Sequence, residues 1–350
     1  MSSRPLEISS WMEAVKPVPW KSANPELVRT YRLVMPNGKG TLKSLIWKAC
    51  ERPRPGVGEV EIRVIAAALN FRDVLSVLGR YPGSTIALGA ECSGVVVSVG
   101  HEAGSFRIGD EVLAVAPGCF SSYVLADHRV VIRKPSNLGF EEAAGIPIAF
   151  LTARHALVSI GRLKQKDRIL VHAASGGVGM AAIKIARRIG AEIYATASPP
   201  KWEALREVGV DRISNSREAG FAERILEQSR GQSMDLVLNS LPLGSVPESL
   251  SLLSCKGCFV EIGKRAALDQ DAKARLSPDL RYEMFDLADL VRDRPDSLHS
   301  SLEEILREIA TGSYSMIPYS TFPANDAADA FRVMAKAKHV GKVVIRLDKV

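Results

Sequence analysis

Long apolar runs are missing from this chain: nothing approaches the roughly eighteen to twenty residues that a membrane-crossing helix needs. The first residues, Met1 to Glu7, carry neither the apolar core of a secretory signal nor the Arg/Ser bias of a transit peptide, so the expectation is a soluble, cytoplasmic protein. A disulfide framework is missing as well. The five cysteines, Cys50, Cys92, Cys119, Cys255 and Cys258, are odd in number and scattered, which fits reduced thiols. Cys255 and Cys258 have the spacing of a metal or redox pair, but no second Cys/His pair completes a zinc site, and Lys256-Gly257 reads as a turn leading into a strand over 258–262. Charge is not segregated either. The 46 basic and 39 acidic residues give +7, interleaved rather than in a block, which argues against nucleic acid as a partner. The one basic cluster, Arg162, Lys164, Lys166 and Arg168, is either a solvated face or a docking surface for an acidic carrier. No Gly-x-Ser-x-Gly elbow occurs and the six histidines are dispersed, so His172 reads as a packed strand residue and not as part of a hydrolytic triad.

What is present is organised around the stretch from Arg168 to Gly190. Ile169, Leu170 and Val171 form a short aliphatic run that stops at small residues and glycines, and an Ala/Ile-rich pattern with helical spacing follows at once. That is a strand, a tight turn and a helix start. Gly176 and Gly179 take the second and third glycine places of the dinucleotide fingerprint, with Gly177 and Val178 between them and Ala174 where the first glycine would stand. The second glycine lets a pyrophosphate approach the backbone, the third lets helix and strand pack closely, and free N–H groups at the helix start receive the phosphate charge. The next strand lacks the acid that would hold the ribose diol of NAD. It runs out through Ala195 to Trp202, where Ser198 can donate a hydrogen bond and Lys201 brings positive charge, a pairing that suits a 2′-phosphate and hence NADP(H). Arg217 is a second candidate for that phosphate or for the adenine face.

A chain of 350 residues is about two domains' worth. Residues 1–25 have no period and read as a lead-in segment or linker. Strand patterns then follow over 31–35, 42–47, 59–66, 93–100, 110–115 and 120–125, fenced by Gly, Pro and Asp turns. After Pro135 the texture turns helical, and strands over 169–172, 192–197, 236–239 and 259–262 alternate with Ala/Leu/Arg/Glu-rich helices, the signature of a doubly wound parallel sheet. The tail offers helices over 298–309 and 324–337 and a last strand over 341–347 able to return to the first half. The expected architecture is α/β: a β-rich substrate domain made of residues 1–150 and 288–350, a dinucleotide-binding domain over 151–287, and an active-site cleft between them.

The motifs Leu69 to Leu75 (LNFRDVL), Leu78 to Gly83 (LGRYPG), Leu88 to Glu91 (LGAE), Gly109 to Val112 (GDEV), Ile146 to Ala153, His172 to Met180, Leu236 to Leu241 (LVLNSL), Phe259 to Lys264 (FVEIGK) and His339 to Lys342 (HVGK) run in order along the chain. With them the sequence resembles the medium-chain dehydrogenase/reductase superfamily and, within it, the enoyl reductase domains of modular polyketide synthases. The resemblance implies a GroES-like substrate domain, a Rossmann domain, NADPH, and reduction of an α,β-unsaturated thioester carried on an acyl carrier protein beside other synthase domains. Zinc-dependent members place Cys and His ligands in the segments matching 70–73 and 89–91; neither holds one here, and the four-cysteine loop is missing too, so the chain resembles the zinc-independent branch. Tyr81 matches a tyrosine that delivers a proton to the substrate α-carbon, and Lys264 with Asp286 matches an alternative proton-delivery pair. Asn70 and Asn239 are candidate nicotinamide or ribose contacts by motif position, and Gly263 is a further cofactor-binding candidate. Two alternatives stay open: a zinc-free quinone or enone reductase acting on free small molecules, and a non-catalytic NADPH-binding structural domain.

Overall fold

The structure is a computed structural model and describes residues 30–36, 40–81, 87–215, 218, 220–262, 273 and 276–347. The lead-in segment, Arg217, Gly263 and Lys264 lie outside the described residues.

The first half supplies β1 (Thr30–Val34), β2 (Ile46–Cys50), β3 (Glu59–Leu69), β4 (Glu91–Val99), β5 (Glu111–Val115), β6 (Tyr123–Asp127) and β7 (Val131–Arg133). Between β3 and β4 lies helix α1 (Phe71–Val77). The eleven-residue β3 is the spine of this half: antiparallel to β4 and β6, it is buried along most of its length. The strand expected over 42–47 starts later, because Ser44 closes a 3₁₀ turn on Thr41, its N–H at 2.9 Å and its hydroxyl at 2.7 Å from the Thr41 carbonyl.

Helices α2 (Phe140–Ala144) and α3 (Pro147–Arg154) lead into the second half. There β8 (Arg168–Val171), β9 (Glu192–Thr196), β10 (Ile213–Ser214), β11 (Met234–Asn239), β12 (Leu253–Ile262) and β13 (Arg281–Phe285) form one sheet in the order β10-β9-β8-β11-β12-β13. Every pairing is parallel. Side chains alternate between two dry faces: Ile169, Val171 and Leu238 belong to one core cluster, Leu170, Val237 and Phe259 to another. Helices cover both faces, α4 (Gly177–Ile189) on the first and α6 (Phe221–Gln228) with α7 (Val246–Leu250) on the second, while α5 (Trp202–Glu207) follows β9. That double cover is why these strands read as near-continuous apolar runs. β12 begins at Leu253 rather than at Cys258. Its pairing with β11 jumps from Met234↔Leu253 to Leu236↔Cys258, so Lys256-Gly257 sits in a bulge within the strand and not in a turn before it. Cys255 is exposed there and Cys258 is buried.

The strand order reverses beside β8, and open α/β sheets bind ligands outside the C-terminal strand ends at that crevice. The tail completes the crevice. After α8 (Leu287–Asp293) and α9 (Pro295–Ala310), β14 (Tyr319–Pro323) and β15 (Lys342–Arg346) join the first sheet, giving the order β14-β15-β3-β4-β5-β7 with β6 on β3. Helix α10 (Ala327–Ala335) buries Ala330, Phe331 and Met334 in that sheet's core. Helix α9 is shared. Its stripe Leu298, Leu302, Ile305 and Ile309 packs in the cluster containing Ile183 of α4, and the same cluster reaches Val130 and Ile132 of the first half. Among the described residues no helix is long and apolar enough to cross a membrane.

Candidate active site

The glycine turn follows β8. Its left-handed residue is Ala173, with φ at +46°, which explains why Ala174 stands in the first glycine place without strain: the demanding backbone position falls one residue earlier. The three glycines then serve different ends. A Cβ on Gly179 would lie 2.6 Å from the Ala174 Cα, so this glycine sets the strand–helix packing distance. A Cβ on Gly177 would meet the Lys342 side chain at 2.5 Å. Gly176, the helix N-cap, has only the Ala173 carbonyl at 3.4 Å from its would-be Cβ, so its open side faces away from the protein. The Met180 N–H closes the first helical bond onto the Gly176 carbonyl at 2.8 Å, and the preceding N–H groups of Gly177, Val178 and Gly179 have no partner within the helix. An open backbone flank beside three such donors fits a pyrophosphate. Beyond β9, Ser198 starts the 3₁₀ turn Pro199–Lys201, and both Ser198 and Lys201 are half-buried with no acid beside them in sequence, which fits a phosphorylated ribose.

The cleft itself is a cavity of about 200 Å³ walled by both halves of the chain. Asn70, Arg72 and Ala116 come from the first, Val178 from the start of α4, Ile262 from the end of β12, and Phe285 and Asp286 from the end of β13. Asp286 is the N-cap of α8, its Oδ1 accepting from the Ala288 N–H at 2.9 Å. Its Oδ2 accepts from the Tyr81 hydroxyl at 3.0 Å, so two residues singled out in the sequence meet here. Burial and then the Asp286 carboxylate push the Tyr81 phenol well above its ordinary range, with the Arg72 guanidinium pulling the other way. The phenol therefore stays protonated, and its proton points at Asp286 in this state.

Asn70 is held by residues that the sequence left without a role. Its Nδ2 donates to Glu91 Oε1 at 2.9 Å, and its Oδ1 accepts from Lys342 Nζ at 2.9 Å. Lys342 Nζ in turn lies 2.6 Å from Glu91 Oε1, a pair in which neither side chain is more than 5% exposed. The other Glu91 oxygen accepts from the Ile148 N–H at 2.7 Å. Asp73, also buried, accepts from the backbone N–H groups of Asn70 and Gly89, both at 2.9 Å, and burial pushes its carboxyl upward against those bonds and the nearby Arg72. Asn239 ends β11 and is not among the residues lining the cleft. It is 0% exposed, its Nδ2 donates to Glu261 Oε2 at 2.6 Å, and its Oδ1 accepts from the Leu241 N–H. Burial raises the Glu261 carboxyl to about 7, against the Asn239 bond. Glu91, Lys342, Glu261 and Arg72 all lie inside motifs legible in the sequence, yet Glu91 and Lys342 are 251 positions apart and nothing local announces their pairing.

Other candidates stay away from the cleft. His172 is buried between the hydroxyls of Thr196 and Ser249, each 2.9 Å from a ring nitrogen, and burial lowers it to about 3. The basic cluster 162–168 precedes or opens β8, at the sheet end opposite the glycine turn. Among the described residues no group of three His, Cys, Asp or Glu side chains could hold a metal ion.

Comparison with known proteins agrees with this layout. Residues 56–149 match the family model described as alcohol dehydrogenase GroES-like domain, and residues 208–345 the one described as zinc-binding dehydrogenase. A phenolphthiocerol/phthiocerol polyketide synthase of Mycobacterium tuberculosis is 40% identical over 317 residues, which is 89% of this chain and 14% of that protein, so the chain spans about a seventh of that curated relative. Among solved structures, the CurK enoyl reductase is 38% identical with a TM-score of 0.85, covering 91% of this chain and 99% of that one. The CurF ER cyclopropanase from the curacin A biosynthetic pathway is 35% identical with a TM-score of 0.84 over the same shares of 91% and 99%. The chain thus belongs to the polyketide synthase enoyl reductases of the medium-chain dehydrogenase/reductase superfamily.

Proposed function

We propose that this chain reduces the carbon–carbon double bond of an α,β-unsaturated thioester presented by an acyl carrier protein, working beside other domains of a polyketide synthase. The observation that carries the reading is the apolar cavity between the glycine turn and the Tyr81–Asp286 pair, with Asn70 fixed at its wall. Gly176 to Gly179 would seat the pyrophosphate of NADPH, and Ser198, Lys201 and Arg217 would hold its 2′-phosphate; once bound there it would supply the hydride. Asn70, both ends of its amide held by Glu91 and Lys342, keeps one orientation toward the nicotinamide. The apolar wall of Val115, Ile148, Val178 and Phe285 excludes water. Tyr81, hydrogen-bonded to the wall residue Asp286, holds a proton for the substrate α-carbon. Releasing it requires the phenol to turn from Asp286, and the same carboxylate, with Lys264, is the route by which that proton is replaced.

The experiment is an NADPH-oxidation assay on the purified chain, with tight NADPH binding established first by fluorescence. A crotonyl thioester mimic and a carrier-bound enoyl chain should both be reduced, the carrier-bound form at the higher kcat/KM. Binding of NADPH without oxidation by either thioester would leave a structural domain, and a preference for free quinones would move the chain to the small-molecule reductases. Mass analysis of the product shows whether the enolate took up a proton or closed a ring.

A further inference from the structure

The cleft has a charge problem that its known parts do not solve. Reduction turns a neutral enoyl thioester into an enolate with negative charge on the thioester oxygen, inside a wall made mostly of Ala116, Ile148, Val178, Ile262 and Phe285. An anion left uncompensated in such surroundings is costly. Among the described lining residues only Arg72 and Asp286 carry charge, and Asp286 has the wrong sign.

Arg72 is built into a rigid place. It is the second residue of α1, and the turn that launches this helix is locked from both ends: Asp73 accepts the Asn70 N–H and the Gly89 N–H, while Ser76 donates its hydroxyl to the Arg72 carbonyl at 2.8 Å. The side chain is half-buried in the cleft wall. Its guanidinium makes no hydrogen bond or ion pair among the described residues, although the buried carboxylate of Asp73 lies on the same turn and is already committed to two backbone donors. A fixed cation with its N–H fork uncommitted, in an apolar cavity beside the proton-bearing phenol, is arranged for an anion that appears only during reaction.

We propose that Arg72 is a catalytic residue that holds the thioester oxygen and stabilises the enolate. This rests on the enoyl-thioester reading above. As hydride, with its electron pair, leaves a C–H bond of the reduced nicotinamide, which is thereby oxidised to NADP+, and forms the new C–H bond at the β-carbon, the π pair of the double bond shifts to make the enolate and the thioester oxygen becomes anionic. Arg72 donates hydrogen bonds to that oxygen and keeps its own protons, since a guanidinium is not an acid at working pH. The α-carbon then takes a proton from the Tyr81–Asp286 end, the C=O bond re-forms, and the oxygen returns to a neutral acceptor that Arg72 releases. The same cation also favours proton loss from Tyr81, so one side chain serves both half-steps.

The test compares Arg72→Met and Arg72→Lys with the parent protein, reading melting temperature, NADPH binding by fluorescence, and steady-state kinetics on a crotonyl thioester. Arg72→Met should melt like the parent and bind NADPH with unchanged Kd, while kcat falls by about 10²- to 10³-fold, the usual loss on removing one donor to a developing oxyanion. Arg72→Lys, which keeps charge without the planar fork, should fall between. Added guanidine should partly restore Arg72→Ala, a rescue that a merely structural arginine would not allow. The proposal is overturned if Arg72→Met keeps parental kcat, or if its loss lies in NADPH Kd, which would make Arg72 a cofactor-phosphate ligand. If the parent protein itself binds NADPH but reduces no thioester, the enoyl-thioester reading fails and this inference goes with it; if the parent is active and Arg72→Met equally so, only the inference fails.

Discussion

Tyr81 is legible by its motif, and what the fold adds is the partner that its hydroxyl holds. A free phenol is simply protonated at neutral pH; in the fold the Tyr81 hydroxyl donates to Asp286, 205 positions away, and burial first and that carboxylate second make it a weaker acid than an ordinary tyrosine. A sequence holds the identity of both partners but not their distance. Asp286→Asn tests the coupling. Asparagine can still cap α8 through its side-chain oxygen, so stability should change by less than about 1 kcal/mol. Loss of the negative charge should move the Tyr81 titration down toward the ordinary tyrosine range, leaving only the part due to burial. The measurement is an NMR titration of ring-labelled tyrosine, with Tyr81→Phe identifying the resonance; an unmoved Tyr81 would mean that burial alone holds the phenol.

At the scale of elements, the parallel sheet was the most legible part of the chain. β8, β9, β11 and the late part of β12 appear where aliphatic runs meet Gly/Asn turns, because strands buried on both faces must be apolar throughout. β13 and β14 were not legible: Arg281–Phe285 and Tyr319–Pro323 are sheet-edge strands, the first half-buried to exposed and the second largely exposed, and carry no alternation for a reader to find. The glycine turn lies between these cases. Its pattern was visible, but the pattern does not say which glycine serves packing and which serves the ligand, and the structure separates them. Gly179→Ala forces a methyl group against the Ala174 backbone at 2.6 Å and should cost about 1–3 kcal/mol in denaturant unfolding, with cofactor binding lost as helix and strand part. Gly176→Ala meets only the Ala173 carbonyl at 3.4 Å, so the protein should unfold within about 1 kcal/mol of the parent. Its NADPH affinity should nevertheless drop about tenfold or more, since the methyl occupies the flank that a pyrophosphate approaches. Equal stability losses in the two variants would mean that both glycines serve packing alone.

For the whole molecule, the question is what ties two sheets, linked by one shared apolar cluster, into one cleft. Backbone contact is slight but direct: the Gly341 N–H donates to the Ser175 carbonyl at 2.7 Å, and Gly176 bridges Gly341, so the last strand of the first sheet touches the cofactor turn of the second. Lys342, the next residue, runs its stem under Gly177 and puts its ammonium on Glu91 at the start of β4, while Glu91 also caps the Ile148 N–H at the start of α3. Four segments from across the chain therefore converge on one buried ion pair, which the sequence offered only as single letters in separate motifs. Removing one partner leaves the other charge stranded in a dry place, whereas removing both leaves no unpaired charge there. Lys342→Met and Glu91→Gln should each lower unfolding stability by about 3–5 kcal/mol, and the double variant should lose clearly less than the sum. Both single variants should also bind NADPH more weakly, because the bonds that orient Asn70 are lost or weakened. Additive losses in equilibrium unfolding would show that the two charges do not depend on each other, and the junction would then have to be held by the Gly341–Ser175 contact and apolar packing instead.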